Sequence, residues 1–227
     1  MAGGPHAFRR VTTVDALVTA ISDAILAGSY APGEWFREEE LAADYGVSRH
    51  TLRAALAQMV QQGLLRREPH RGVFVPRLTR DDIADIYRAR AVFELDAARA
   101  LTARGVLGFD PGAVLTPFER LLENSPWREV VEVDVIFHTA LIDAIGSPRI
   151  SALYANLLSE FRLCILHTPI PDDYPSLVVD KHRTLINVLQ SDDPERAVAH
   201  FRAHLDDSEQ RLLAKYGEPL AAVSMTG

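Results

Sequence analysis

The chain has 227 residues, 48% hydrophobic and 24% charged, with a formal net charge of −7, which provides for one large or two modest folded domains and excludes a disordered chain. The acidic total hides an asymmetry. Residues 1–80 carry ten Lys/Arg against eight Asp/Glu, residues 81–227 carry fourteen against twenty-three, and between 45 and 80 seven arginines face one acid, Glu68.

Cys164 is the sole cysteine, which excludes an intramolecular disulfide and a thiolate metal cluster. The N-terminal MAGGPHAFRRVTT lacks the apolar core of a signal peptide, and no run approaches the roughly twenty apolar residues of a membrane span. The expected compartment is the cytoplasm, with no membrane partner.

Residues 1–10 read as a tail. From there Val14, Leu17, Val18, Ile21, Ala24 and Ile25 form a helical stripe that stops at Gly28, and Tyr30-Ala31-Pro32-Gly33 makes a turn. Leu41 and Ala42 point a short helix inward, Gly46 supplies a turn, and Ser48 caps a second helix whose stripe is Leu52, Leu56, Met59 and Val60. Two short strands are expected at 64–67 and 73–75, joined at an Arg71-Gly72 tip.

This order is that of a winged helix-turn-helix. Its expected DNA-contacting residues are Arg37, then Ser48, Arg49, His50, Thr51 and Arg53 in the first turns of the second helix, and Arg71 and Gly72 in the wing. Any one arginine at a helix start is commonly just solvated charge. Seven in a region with one acid, on such a motif, form the basic footprint that phosphate contact requires. Gly72 would also serve a plain hairpin, so only Arg71 speaks for contact at the wing.

Residues 76–79 read as a linker, and Thr79 with Asp82 starts a new helix as a capping box. Helical periods follow over 80–104, 111–124, 127–144, 148–167, 174–190 and 194–215, separated by Gly/Pro breaks. The expected fold is therefore mainly α: a winged helix over 11–75 with a small β wing, then an all-helical domain of about six helices over 80–216, then a tail at 217–227.

Three of these helices carry polar groups on apolar stripes. Asp134 and His138 share a face with Val130, Phe137, Leu141 and Ile145; His182 lies in line with Val178, Leu185, Ile186 and Leu189; His204 sits between Phe201 and Leu205. A buried carboxylate is costly unless paired, and a divalent cation would satisfy it together with three neutral imidazoles. The plainer alternative is a set of hydrogen-bonded core histidines, with Asp134 and His138 as a pair. His200 competes with His204, His167 reads as a cap or surface residue, and His6 lies in the tail.

In the first helix of this domain Arg90 and Glu94 interrupt a face made by Ile83, Ile86, Tyr87, Ala97, Ala98 and Leu101. They are either an intrahelical ion pair or the place where Arg90 offers its planar fork to the carboxylate of a small effector. Arg162 is a second effector candidate, and could equally be a solvated helix residue.

The phrases LAADYGVSRHTLRAAL and HRGVFV, within residues 11–75, resemble the DNA-binding domain of the GntR family of bacterial transcription regulators. Two departures stand out: Ala54 occupies a position where many members have Glu, and Glu39 one where many have a basic residue, with Arg37 nearby. DVIFH at 134–138, KHR at 181–183 and AHL at 203–205 resemble the FCD effector domain of the FadR subfamily. Many members bind one divalent metal through the four matching residues, which here are Asp134, His138, His182 and His204; others lack them and bind ligand without metal.

The resemblance implies a homodimeric regulator, a repressor of a palindromic double-stranded DNA operator, responsive to a small organic acid beside the metal, with Arg90 as its carboxylate contact. An Asp/His₃ set suits zinc, nickel or manganese. Two rivals are a sensor in which the metal itself is the effector and a metal-dependent enzyme. No GxSxG, HExxH, phosphate loop or dinucleotide fingerprint supports the latter, and no catalytic residues are expected.

Overall fold

The computed structural model describes residues 12–121, 125–166 and 176–216. The expected tails, His6 and His167, and the expected helix termini at 122–124 and around 167–175 lie outside these residues. The chain divides into two compact units, residues 1–76 and 77–227.

In the first unit α1 (Thr13–Leu26) starts at a capping box: Asp15 N–H donates to Thr12 Oγ1 at 3.1 Å while Thr12 N–H donates to Asp15 Oδ2 at 3.1 Å. Helices α2 (Glu38–Asp44) and α3 (Arg49–Gln61) follow. Between them Gly46 has φ of +62°, a left-handed conformation that L side chains rarely adopt. Ser48 Oγ accepts from Thr51 N–H at 3.1 Å and so caps α3. Ile21, Ile25, Leu52, Leu56 and Met59 are fully buried between α1 and α3, each contributing about 1.5–3 kcal/mol.

The wing is an antiparallel pair, β1 (Arg66–Glu68) and β2 (Gly72–Phe74), with Arg66 opposite Phe74. It starts later than the strand expected at 64–67. Leu64 and Leu65 are core plugs, and Leu65 N–H still donates to Met59 O at 3.3 Å, so strand pairing begins only at Arg66. A third lane was not foreseen: Phe36 N–H donates to Val73 O at 2.9 Å, Val75 N–H to Glu34 O at 3.0 Å, and Trp35 stacks on Phe74 with centroids 4.5 Å apart.

The second unit holds α4 (Arg80–Arg104), α5 (Pro111–Glu119), α6 (Trp127–Asp143), α7 (Pro148–Leu166), α8 (Ser176–Leu189) and α9 (Pro194–Lys215). Thr79 and Asp82 box the start of α4, which stops at left-handed Gly105. Helix α5 ends at Glu119, short of the expected 124; Pro117 removes a backbone donor from its last turn. Helix α4 is the central element, packed most extensively on α9 and also on α7, α6 and α8. The described residues are thus mainly α, with one two-stranded ribbon.

Candidate metal centre and nucleic-acid interface

Asp134 and His138 lie one turn apart on α6, His182 comes from α8 and His204 from α9. One ligand atom from each falls within 4.8 Å of all the others. Two atoms bound to one ion at bonds of about 2.1 Å are at most about 4.2 Å apart, so the set needs little contraction to hold a cation. His200, the competing histidine, instead engages its own helix through Nδ1 and Arg196 O at 2.9 Å, and the cluster contains His204.

Neighbouring groups aim these side chains. His182 Nδ1 lies 2.8 Å from Val178 O. A carbonyl only accepts, so the ring proton sits on Nδ1 and Nε2 presents a bare lone pair 3.2 Å from Asp134 Oδ1. Phe118 stacks on this imidazole at 4.2 Å and Phe137 meets it edge-on at 4.8 Å.

His138 Nδ1 lies 2.7 Å from Glu94 Oε2 and its Nε2 lies 3.7 Å from Asp134 Oδ1. The Nδ1–Oε2 contact is close but outside the alignment of a well-formed hydrogen bond. Among the described residues, four of the buried atoms without a hydrogen-bond partner are Asp134 Oδ2, His138 Nε2, His182 Nε2 and His204 Nδ1. One comes from each member of the cluster. A lone pair facing a carboxylate repels it, and a cation between them turns the repulsion into ligation, so the donor set fits a divalent metal.

The electrostatics favour ligation at Asp134 and at two of the three imidazoles. Burial works to raise Asp134, yet His138 and His182 hold it well below the usual carboxylate range. Burial depresses His182; burial and the other two imidazoles push His204 well below the ordinary histidine value. Both therefore favour the neutral form that ligates metal. Burial also acts to lower His138, but Glu94 beside it raises it.

Beneath the cluster Arg90 and Glu94 are both buried, at 1% and 0% exposure. Arg90 Nε donates to Glu94 Oε1 at 2.7 Å, and Tyr154 O–H donates to the same oxygen at 2.6 Å. The guanidinium lies 4.0 Å from the Phe161 ring centroid, and its Nη2 is buried without a partner. The ion pair foreseen from the sequence is present; the reach of Glu94 to His138 was not foreseen. Arg162 has its fork engaged by Glu132, Nε to Oε1 at 3.1 Å and Nη2 to Oε2 at 3.2 Å. Glu132 is two residues from Asp134, about 200° around the helix, so this pair is directed away from the cluster face.

In the first unit Arg49, His50 and Arg53 are exposed near the start of α3, and the Thr51 hydroxyl lies 2.8 Å from Ser48 Oγ. Acids of α2, just outside the basic 45–80 window, hold the arginines: Arg49 pairs with Glu39, and Arg53 Nε donates to Glu38 Oε2 at 2.7 Å. Arg37 pairs with Glu40 at 3.0 Å. In the wing Arg71 is bound to Glu68 at 2.9 Å and lies 4.3 Å over the Trp35 ring, while the neighbouring His70 takes a left-handed φ of 65°.

A capped, basic recognition helix beside a two-stranded wing defines a DNA-binding transcription regulator. Residues 13–75 match the family described as bacterial regulatory proteins, gntR family, and residues 85–207 match the FCD domain. An HTH-type transcriptional regulator in an unstable DNA locus of Streptomyces ambofaciens is 30% identical over 197 residues, 82% of this chain and 80% of the relative. The gluconate operon transcriptional repressor of Bacillus licheniformis is 25% identical over 210 residues, 86% of each chain. A crystal structure described as a putative transcriptional regulator GntR from Rhodococcus sp. RHA1 superposes with a TM-score of 0.75 at 26% identity, covering 89% of this chain and 98% of that one.

The chain belongs to the gntR family of bacterial regulatory proteins, with an FCD domain following its winged helix, as in the FadR-like subfamily. Its relatives are transcription regulators and not enzymes. Among the described residues no helix is long and apolar enough to cross a membrane.

Proposed function

We propose that the protein is a cytoplasmic, homodimeric repressor of a palindromic operator, whose affinity for DNA is set by a small carboxylate bound beside a divalent cation in the C-terminal domain at 80–216. Asp134, His138, His182 and His204 would hold the cation, which supplies a positive charge and an open position for an acidic ligand. The reading is carried by Asp134 Oδ2, His138 Nε2, His182 Nε2 and His204 Nδ1, each buried without a hydrogen-bond partner. Arg90, with Nη2 buried and unpartnered, is the carboxylate contact. Arg162, its fork engaged by Glu132, is the weaker effector candidate.

On the DNA side Arg49, His50 and Arg53 are the proposed base and phosphate contacts from α3, Ser48 and Thr51 fix its first turn, and Arg37, Arg71 and Gly72 flank it. Arg49 and Arg53 exchange an acid of α2 for DNA on binding.

The Bacillus licheniformis relative regulates a gluconate operon by name, and gluconate joins a carboxylate to hydroxyls that can ligate a cation, so sugar and hydroxy acids are the first probes. Thermal denaturation of zinc-, nickel- or manganese-loaded protein across such acids tests the reading, since a specific ligand stabilises by mass action. A rise in Tm with an acid, absent from Asp134→Asn, supports it; an equal rise in that variant contradicts it. One observation favours the metal itself as effector: Arg90 is already balanced by Glu94. Operator titrations with cation alone and with cation plus acid separate the two.

A further inference from the structure

We infer that Glu94 is a positioning residue of the cation site, the carboxylate that orients His138 and ties that ligand to Arg90 and Tyr154. The inference rests on the metal reading above and adds α4 to a site whose four ligands come from α6, α8 and α9.

The two oxygens of Glu94 have different partners. Oε1 accepts from Arg90 Nε at 2.7 Å and from Tyr154 O–H at 2.6 Å. Oε2 lies 2.7 Å from His138 Nδ1. Paired with a guanidinium, Glu94 is an acceptor-only anion. The contact lies off the line of a well-formed hydrogen bond, but in the neutral imidazole a proton on Nδ1, facing this anion, leaves the Nε2 lone pair for the cluster. This is the arrangement by which an outer carboxylate fixes the tautomer and orientation of a metal-ligating histidine. His182 obtains the same tautomer from a backbone carbonyl, Val178 O.

The two devices differ in consequence. Val178 O is bound to the helix of its own histidine, whereas Glu94 also holds Arg90 and Tyr154. A change at either of those donors redistributes the hydrogen bonds of Glu94 and so alters how firmly it orients His138. An anion engaging the unpartnered Nη2 of Arg90 and a cation engaging His138 Nε2 are then coupled through one carboxylate. Such coupling is reciprocal: each strengthens or weakens the other by the same factor.

The test uses Zn²⁺ as probe, its affinity measured by competition with a chromogenic chelator and its stoichiometry by elemental analysis, for the full chain and for Glu94→Gln, Tyr154→Phe and the double variant. The expected result is that Glu94→Gln retains Zn²⁺ stoichiometry but binds about 10–100-fold more weakly. Tyr154→Phe, remote from the ligand set, weakens binding by a smaller factor and adds nothing in the Glu94→Gln background. Imidazole ¹⁵N shifts of the metal-free chain place the His138 proton on Nδ1.

Unchanged Zn²⁺ affinity in Glu94→Gln, an additive Tyr154→Phe effect, or a His138 proton on Nε2 overturns the inference. If Glu94→Gln does not fold, the single Tyr154→Phe comparison and the tautomer decide: wild-type affinity in that variant overturns the inference. A wild-type chain that binds no Zn²⁺ overturns the metal reading and this inference together, whereas normal wild-type binding with an indifferent Glu94→Gln overturns this inference alone.

Discussion

His182 Nε2 stands 3.2 Å from Asp134 Oδ1 with its lone pair toward the carboxylate, because its Nδ1 is committed to the carbonyl of Val178. Two electron-rich atoms at that separation repel each other, and the proposed cation would relieve them. Metal removal is therefore expected to destabilise the protein, lowering Tm, and His182→Ala is expected to leave the purified chain without metal. Thermal denaturation checks the first and elemental analysis the second; an unchanged Tm on metal removal would contradict the first, and wild-type stoichiometry in His182→Ala would remove that histidine from the site.

Arg90→Ala leaves Glu94 buried and short of its principal donor. Breaking a buried pair by deleting one partner typically costs about 3–5 kcal/mol, which should appear as a large fall in chemical-denaturation stability. Arg90→Lys retains the charge without the planar fork, and is expected to keep metal while weakening acids that stabilise the wild type. Undiminished acid affinity in that variant would leave Arg90 with only its ion-pair role.

The recognition helix offers a separate test. If Arg53 reads a base, Arg53→Ala loses about tenfold or more in preference for operator over random DNA, measurable by fluorescence anisotropy. Equal losses on both DNAs would reduce it to a phosphate contact. Glu39 pairs with Arg49 and presents a negative charge on the same surface. Glu39→Gln is expected to tighten binding to operator and random DNA alike, most clearly at low salt; unchanged affinity would show that Glu39 does not oppose the phosphates.

The winged helix was legible in the sequence because its signals are local: the Ser48 cap, the Gly46 turn, and the stripe Leu52, Leu56, Met59 each act within a few residues. The start of β1 was less so, since Leu64 and Leu65 form an apolar run whatever they do, and pairing with β2 decides where the strand begins. At the site, the Asp134/His138 spacing is written in the helix period. The contacts of Glu94 with His138, Glu38 with Arg53 and Arg162 with Glu132 depend on how one helix packs on another, and no single helix encodes them.

Cys164 offers a reporter of unfolding. It is 2% exposed, and burial pushes its thiol up to about 12. A raised thiol value disfavours the reactive thiolate at neutral pH, so a thiol reagent is expected to label the native protein slowly and the denatured protein at once. Rapid native labelling at pH 7 would show that the helix carrying Cys164 opens readily.

The most direct measurement for the account as a whole is operator affinity by anisotropy with cation and a stabilising acid, in the wild type and in Asp134→Asn. A ligand shifts DNA binding only by its differential affinity for the two states. The account predicts an acid-dependent change in operator affinity that requires the cation and disappears in Asp134→Asn. The same acid-dependent change in that variant, or in cation-free wild type, would contradict it.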